Sequence, residues 1–210
     1  MFSVLAANAQ KTSSFAGTVK MSVKYEGNTN PQDHQPHEVT YTILGNKIKQ
    51  INGPWIYILD GDAVTQTRLL DIPANRAGAK VPKEHFEMQQ EDLKYTYVKS
   101  EETKTICGYV CTRYDITVYD AEVDEETKSI VYTTTEIGAD ENINNFEYPG
   151  LTGFPLYEET ESKGVKETSV AIEVKPTKVK SVDFLIPSDY KMMTFLEFNA
   201  FLKALNSKEE

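Results

Sequence analysis

The chain has 210 residues, of which 40% are hydrophobic and 26% charged, and it carries a formal net charge of −10. That length suits one sizeable all-β or α+β domain. So acidic a balance excludes nucleic acid, whose phosphates demand a basic face, and electrostatic docking on anionic lipid; no apolar run approaches the length of a membrane span.

The first ten residues, M-F-S-V-L-A-A-N-A-Q, allow two readings. One is an ordinary frayed N-terminus. The other is the tail of a secretory signal, because Ala7-Asn8-Ala9 puts small side chains at the two positions that signal peptidase reads. The stretch lacks the basic start and the full apolar core of a complete signal.

Regular alternation begins at Phe15. In F-A-G-T-V-K-M-S-V-K-Y-E-G (15–27), Phe15, Val19, Met21, Val23 and Tyr25 are apolar, and Thr18, Lys20, Ser22, Lys24 and Glu26 are polar. Such a strand turns one face to a core and the other to water. V-T-Y-T-I (39–43), V-C-T-R-Y-D-I-T-V (110–118) and V-A-I-E-V (170–174) repeat the pattern. W-I-Y-I-L (55–59) differs: Trp55, Tyr57 and Leu59 share one face while Ile56 and Ile58 make the other apolar too. A strand of this kind is buried on both sides, with helices expected on one and a second part of the sheet on the other.

Turn signals separate the strands at Gly27-Asn28, Gly45-Asn46, Asn52-Gly53-Pro54, Asp60-Gly61-Asp62 and Ser162-Lys163-Gly164. Strands so spaced predict an antiparallel sheet large enough to curl. No regularly interposed helices call for a parallel βαβ sheet. Helix formers after Pro82 predict a short helix over 82–92, and residues 120–126 and 140–145 read as solvated loops. At the C-terminus, Phe195, Phe198, Phe201, Leu202 and Leu205 recur at three- and four-residue steps behind Thr194, predicting a capped amphipathic helix over 194–206 that packs on the sheet. The expected fold is therefore mainly β (α+β): an open, strongly curved antiparallel half-barrel with a few helices on its concave side.

Chemistry-bearing residues are sparse. Cys107 and Cys111 flank Gly-Tyr-Val; an extended strand holds such a pair too far apart for a disulfide, but a bend at Gly108 closes the gap. A local Cys107–Cys111 bridge, in an oxidising compartment, and two half-buried thiols are the alternatives. His34 and His37 sit with Asp33 and Glu38 in a polar loop whose spacing matches no established metal motif, and His85 stands alone. D-G-D at 60–62 lacks the downstream glutamate of a calcium loop. No serine elbow, zinc-binding helix motif or phosphate-cradling loop occurs. The expectation is no catalytic residue, no metal and no cofactor. Against that, twelve Tyr, nine Phe and one Trp form an unusual aromatic supply. An open curved sheet with apolar inner faces leaves an apolar hollow under its helices, for which Val19, Met21, Val23, Tyr41, Ile43, Trp55 and Tyr57 are the candidate lining.

Five stretches taken in order carry a resemblance: F-A-G-T-V-K-M-S-V, G-N-K-I-K at 45–49, T-K-T-I-C-G-Y-V-C-T-R-Y at 103–114, G-F-P-L-Y-E at 153–158 and D-F-L-I-P-S-D-Y-K at 183–191. Together they resemble an uncharacterised domain of small secreted Bacteroidetes proteins, which is in turn similar to the lipoprotein-carrier (LolA/LolB-like) superfamily. The resemblance implies an unclosed barrel wrapped around helices, an apolar cavity, a periplasmic or secreted location, and binding of lipids or acyl chains without covalent chemistry. It transfers no functional residue. With this implied export, residues 1–9 are read as a signal-peptide remnant and 10–210 as one domain. No cysteine stands at the cut before Gln10, so a stable lipid anchor is not expected. The leading functional expectation is a non-enzymatic periplasmic carrier of an apolar ligand. The alternatives are a cell-envelope module with a filled core that binds another protein, and, more remotely, a hydrolase whose site assembles only in three dimensions.

Overall fold

The structure, a computed structural model, describes residues 15–27, 35–85, 91–137 and 148–207. The proposed signal remnant, His34, residues 140–145 and the middle of the 82–92 segment lie outside the described residues; within that segment, residues 83–85 are helical.

Alternation becomes strand wherever it is written. Six strands form a first meander: β1 (Ala16–Gly27), β2 (His37–Leu44), β3 (Lys47–Asn52), β4 (Trp55–Asp60), β5 (Thr65–Leu70) and β6 (Ala77–Val81). Five form a second: β7 (Leu93–Ile106), β8 (Tyr109–Asp120), β9 (Glu125–Thr134), β10 (Phe154–Ser162) and β11 (Val165–Pro176). Antiparallel pairing of β1 with β11 joins them into one open, curved sheet of twelve strands, ordered β12-β6-β5-β4-β3-β2-β1-β11-β10-β9-β8-β7. The last strand, β12 (Lys191–Met193), departs from the antiparallel expectation by running parallel to β6. It reaches that edge after residues 181–190 have crossed the back of β3–β5, where Phe184 and Tyr190 are buried. The expected loop at 120–126 is shorter than foreseen: strand pairing continues to Asp120↔Glu125, leaving a turn of residues 121–124.

Register shifts bend the sheet at three places: Lys20/Met21 in β1, Pro155/Tyr157 in β10 and Lys99/Thr103 in β7. Each inserts extra backbone on one strand and increases local twist. The β7–β8 hairpin closes on Cys107-Gly108, both at positive φ (49° and 88°), with Ile106 paired to Tyr109. A two-residue turn with both central residues left-handed matches the twist of its flanking strands. The tip packs into the main core: Ile106 and Cys111 join Val19, Met21 and Val23 of β1, Val39 and Ile43 of β2, and Ile48 of β3 in one buried cluster.

The C-terminal helix α1 (Phe195–Asn206) begins where the sequence predicts. Thr194 Oγ1 accepts from the Glu197 amide at 3.3 Å while the Thr194 amide donates to the Glu197 carboxylate at 2.9 Å, a reciprocal cap of the first turn. Its apolar stripe covers Leu70, Ala77 and Ala79 through the fully buried Phe198. β4 is enclosed on both sides as its sequence requires, although the second cover differs from expectation. Trp55 meets Phe198 edge-on at 6.4 Å, whereas Ile56 and Ile58 meet Tyr190 and Ile186 of the crossing segment, not another part of the sheet.

Candidate functional site

The ladders from β2 to β6 run without interruption, so cross-strand partners stay on one face. One row across that face reads Tyr41, Gln50, Tyr57, Arg68, Ala79, with Val19 of β1 beside Tyr41. Tyr41, Gln50, Tyr57 and Arg68 are all half-buried. The neighbouring row on one side, Ile43, Ile48, Leu59, Gln66 and Val81, is buried throughout. On the other side Trp55, Leu70 and Ala77 lie under α1. The row is thus a half-exposed strip between two filled cores on the inner face.

The strip is aromatic at one end and cationic at the other. Trp55 and Tyr57 stack with ring centroids 6.3 Å apart, and Tyr41 meets Phe154 edge-on at 5.4 Å. Burial pushes the Tyr57 hydroxyl above its ordinary value, with Arg68 acting the other way, so Tyr57 is a neutral hydrogen-bonding phenol. Arg68 is the unusual member. Its Nε donates to Gln66 Oε1 at 2.9 Å, and its guanidinium lies 6.0 Å from the Phe195 ring. Among the described residues, no carboxylate pairs with it. By contrast, Arg76 holds Asp71 and Asp189, and Arg113 holds Asp115 and Glu102. Burial pulls the Arg68 guanidinium below its ordinary value, and both burial and the charge of Arg68 pull His85 down. A cation removed from water without a counter-ion is costly.

The seven predicted lining residues therefore divide. Val19 and Ile43 are 0% exposed and Met21 and Val23 are 4% exposed; packed with Phe154, Leu156 and the β7–β8 tip, they belong to the main core cluster. Tyr41, Trp55 and Tyr57 stay half-buried on the strip. The sequence reading missed Arg68, Gln50 and Gln66. The signal was there in T-Q-T-R-L-L: alternation places Gln66 and Arg68 on the same face as the buried Leu70, and a charge at an inward position is worth a question.

Two clefts lie elsewhere. One, of about 530 Å³, runs between β4–β6 and the crossing segment, walled by Ile58, Phe184, Leu185 and Ile186 with Lys47 and Lys80 among its lining. Lys47 is ion-paired with Asp60. The other, of about 420 Å³, lies over β7–β11 and is polar, with Ser129, Tyr148, Glu158 and Thr160 around it. The Tyr148 hydroxyl donates to Glu158, as does Thr160 Oγ1 at 3.3 Å. Burial first, then the charge of Glu167, pushes the Glu158 carboxyl above the usual carboxylate range.

The expected Cys107–Cys111 bridge is not formed. The bend it needs exists at Gly108, but the sulfurs turn to separate partners: Cys107 Sγ donates to the Ala171 carbonyl at 3.3 Å and Cys111 Sγ to that of Tyr109 at 3.6 Å. Cys111 is wholly buried, and burial pushes its thiol up to about 11. His37 stacks on Tyr25 at 6.1 Å. Among the described residues, no group of three His, Cys, Asp or Glu side chains is placed to hold a metal ion, and no helix is long and apolar enough to cross a membrane.

Fold and strip together define an open, single-sheet β protein whose inner face carries an aromatic row ending on a guanidinium with no carboxylate partner among the described residues. No family model matches the chain. No curated protein matches it. Among solved structures it is similar to LprF from Mycobacterium bovis, at 9% identity and a TM-score of 0.30, over 79% of this chain and 88% of that one. A likeness at that score carries no argument about fold or ligand.

Proposed function

We propose that this chain is a non-enzymatic binding protein that takes up an apolar ligand, a lipid or an acyl chain, on the inner face of its open sheet. The observation that carries the reading is the strip of Tyr41, Tyr57 and Trp55, which stays half-exposed between two otherwise filled cores. Aromatic surface left partly wet on the inside of a curved sheet is where an apolar body gains most from burial. The site is thus narrower than the sequence suggested, because the β1 residues and Ile43 serve the core. The sparse catalytic inventory and the small-residue spacing at Ala7-Asn8-Ala9 fit a carrier working in the periplasm or outside the cell.

Native mass spectrometry and organic extraction of protein purified from its own host test this. A co-purifying acyl species, absent from Tyr57→Ala protein, is the expected result. A ligand-free protein whose Trp55 fluorescence is unmoved by any apolar probe would defeat it. That outcome would favour the second reading, an envelope interaction module, which the complete burial of Val19 and Ile43 supports.

A further inference from the structure

Resting on the proposed apolar-ligand site, we infer that the ligand is an anionic amphiphile whose oxyanion head, carboxylate or phosphate, is held by Arg68. The argument begins with charge. The chain carries 32 acidic residues, yet Arg68 has none as a partner among the described residues, while Arg76 and Arg113 each hold two. A half-buried guanidinium normally finds a carboxylate, because a planar fork of donors matches two oxygens. Here, among the described residues, its one protein acceptor is the neutral amide of Gln66, bonded to Nε. The terminal nitrogens, which make the bidentate contact, are left without a protein acceptor among the described residues.

The surroundings favour an anion too. Tyr57, the ladder partner of Arg68, has a hydroxyl kept neutral by burial, and so able to donate. His85 lies against the same Phe195 ring that the guanidinium faces, at 4.5 Å between centroids. From this point the row runs through Tyr57 and Gln50 to Tyr41, with Trp55 stacked on Tyr57. Head and body are therefore recognised on one continuous strip: an oxyanion at β5 and an apolar chain laid along β4 to β2. Charge complementarity selects this occupant over a neutral lipid, which would leave the guanidinium as it stands, and over a cationic one, which Arg68 would repel.

The test is titration of the full-length protein with three sixteen-carbon probes below their critical micelle concentrations: palmitate, hexadecyl phosphate and hexadecanol. Binding is followed by calorimetry and by the fluorescence of Trp55, the only tryptophan. The expected result is that at least one anionic probe binds about tenfold or more tighter than hexadecanol, and the preferred anion tells a carboxylate head from a phosphate. Arg68→Gln should abolish the preference and bring all three probes to parity. Arg68→Lys, which keeps the charge and loses the fork, should retain part of the preference and guards against misfolding of the first variant. Equal binding of the three probes to the wild type, or a preference that survives in Arg68→Gln, overturns the inference and leaves the apolar-ligand reading standing. Failure of every probe, hexadecanol included, removes that reading and the inference with it.

Discussion

At the level of single residues, two half-buried charges on this sheet, Arg68 and Glu158, are treated in opposite ways. Among the described residues Arg68 has no counter-ion, whereas Glu158 is surrounded by hydroxyls and stays closer to its neutral form. The second case has a measurable consequence. Because the folded-state pKa of Glu158 is raised above its ordinary 4.5, the folded protein binds this proton more tightly than the unfolded chain does. The contribution is fully present below pH 4.5 and is lost as pH rises through the folded-state value. Urea midpoints should therefore fall above pH 4.5 on this account, by no more than about 1.4 kcal/mol per pH unit, the limit for one proton. Glu158→Gln keeps the Oε1 acceptor for Tyr148 and removes the titration. It should flatten that fall and hold stability at pH 8 at or above the wild type; a variant with the wild-type pH profile refutes the assignment. Arg68 could be suspected from its inward place in T-Q-T-R-L-L, but Glu158 was not legible as special in one dimension. Glu158 is one of many acids, and only the register Glu158↔Ser169 and Glu158↔Val131 shows that it faces a cleft. The thiols teach the same lesson: spacing raised the possibility of a bridge, but the direction of each Sγ is set by the carbonyl it meets.

At the level of elements, helix α1 was almost wholly legible. Its cap, its length and its stripe follow from three- and four-residue periodicity and from Thr194 and Glu197, all local quantities. Its energetic weight is uneven. Phe198 is 1% exposed and Leu196 is 80% exposed. Phe198→Ala should cost about 3–5 kcal/mol in urea denaturation, through lost burial and the cavity left over Leu70 and Ala79. Leu196→Ala should change stability by less than about 0.5 kcal/mol. If the two variants were equal, the packing of α1 on β5 and β6 would not be what holds it. β12 was not legible at all: three residues paired parallel to β6 have too short a pattern to read, and their position depends on where the crossing segment delivers them.

At the level of the whole molecule, two meanders meet along one ladder, β1 with β11, which continues from Gly17↔Pro176 to Gly27↔Val165. The main cluster also crosses that seam, since Val19, Met21 and Val23 of β1 are buried with Leu156, Ile106 and Cys111 of the second meander. Unfolding should therefore be one cooperative transition. Trp55 fluorescence reports the first meander and far-ultraviolet circular dichroism reports all the strands, so their urea curves should coincide. Two resolved transitions would mean that the seam does not couple the halves. Folding should also be slow for a domain of this size, since the joining strands lie at opposite ends of the chain.

The sequence by itself determined the strands, most of the turns and the capped helix, because alternation, glycine and proline placement and helix periodicity act over a few residues. Tyr41, Trp55 and Tyr57, which form the half-exposed strip, were among its candidates. Only the tertiary structure decided which of the inward residues became core and which stayed open. Val19, Met21, Val23 and Ile43 look the same as Tyr41 and Tyr57 in one dimension, and they differ because the first group is enclosed in the main cluster with the β7–β8 tip and Leu156, whereas Tyr41 packs at that cluster's margin against Phe154 and Tyr57 lies outside it, both half-buried. Burial is a property of what arrives from elsewhere in the chain. The same is true of Arg68, whose significance is that, among the described residues, it meets Gln66 and Phe195 and no carboxylate.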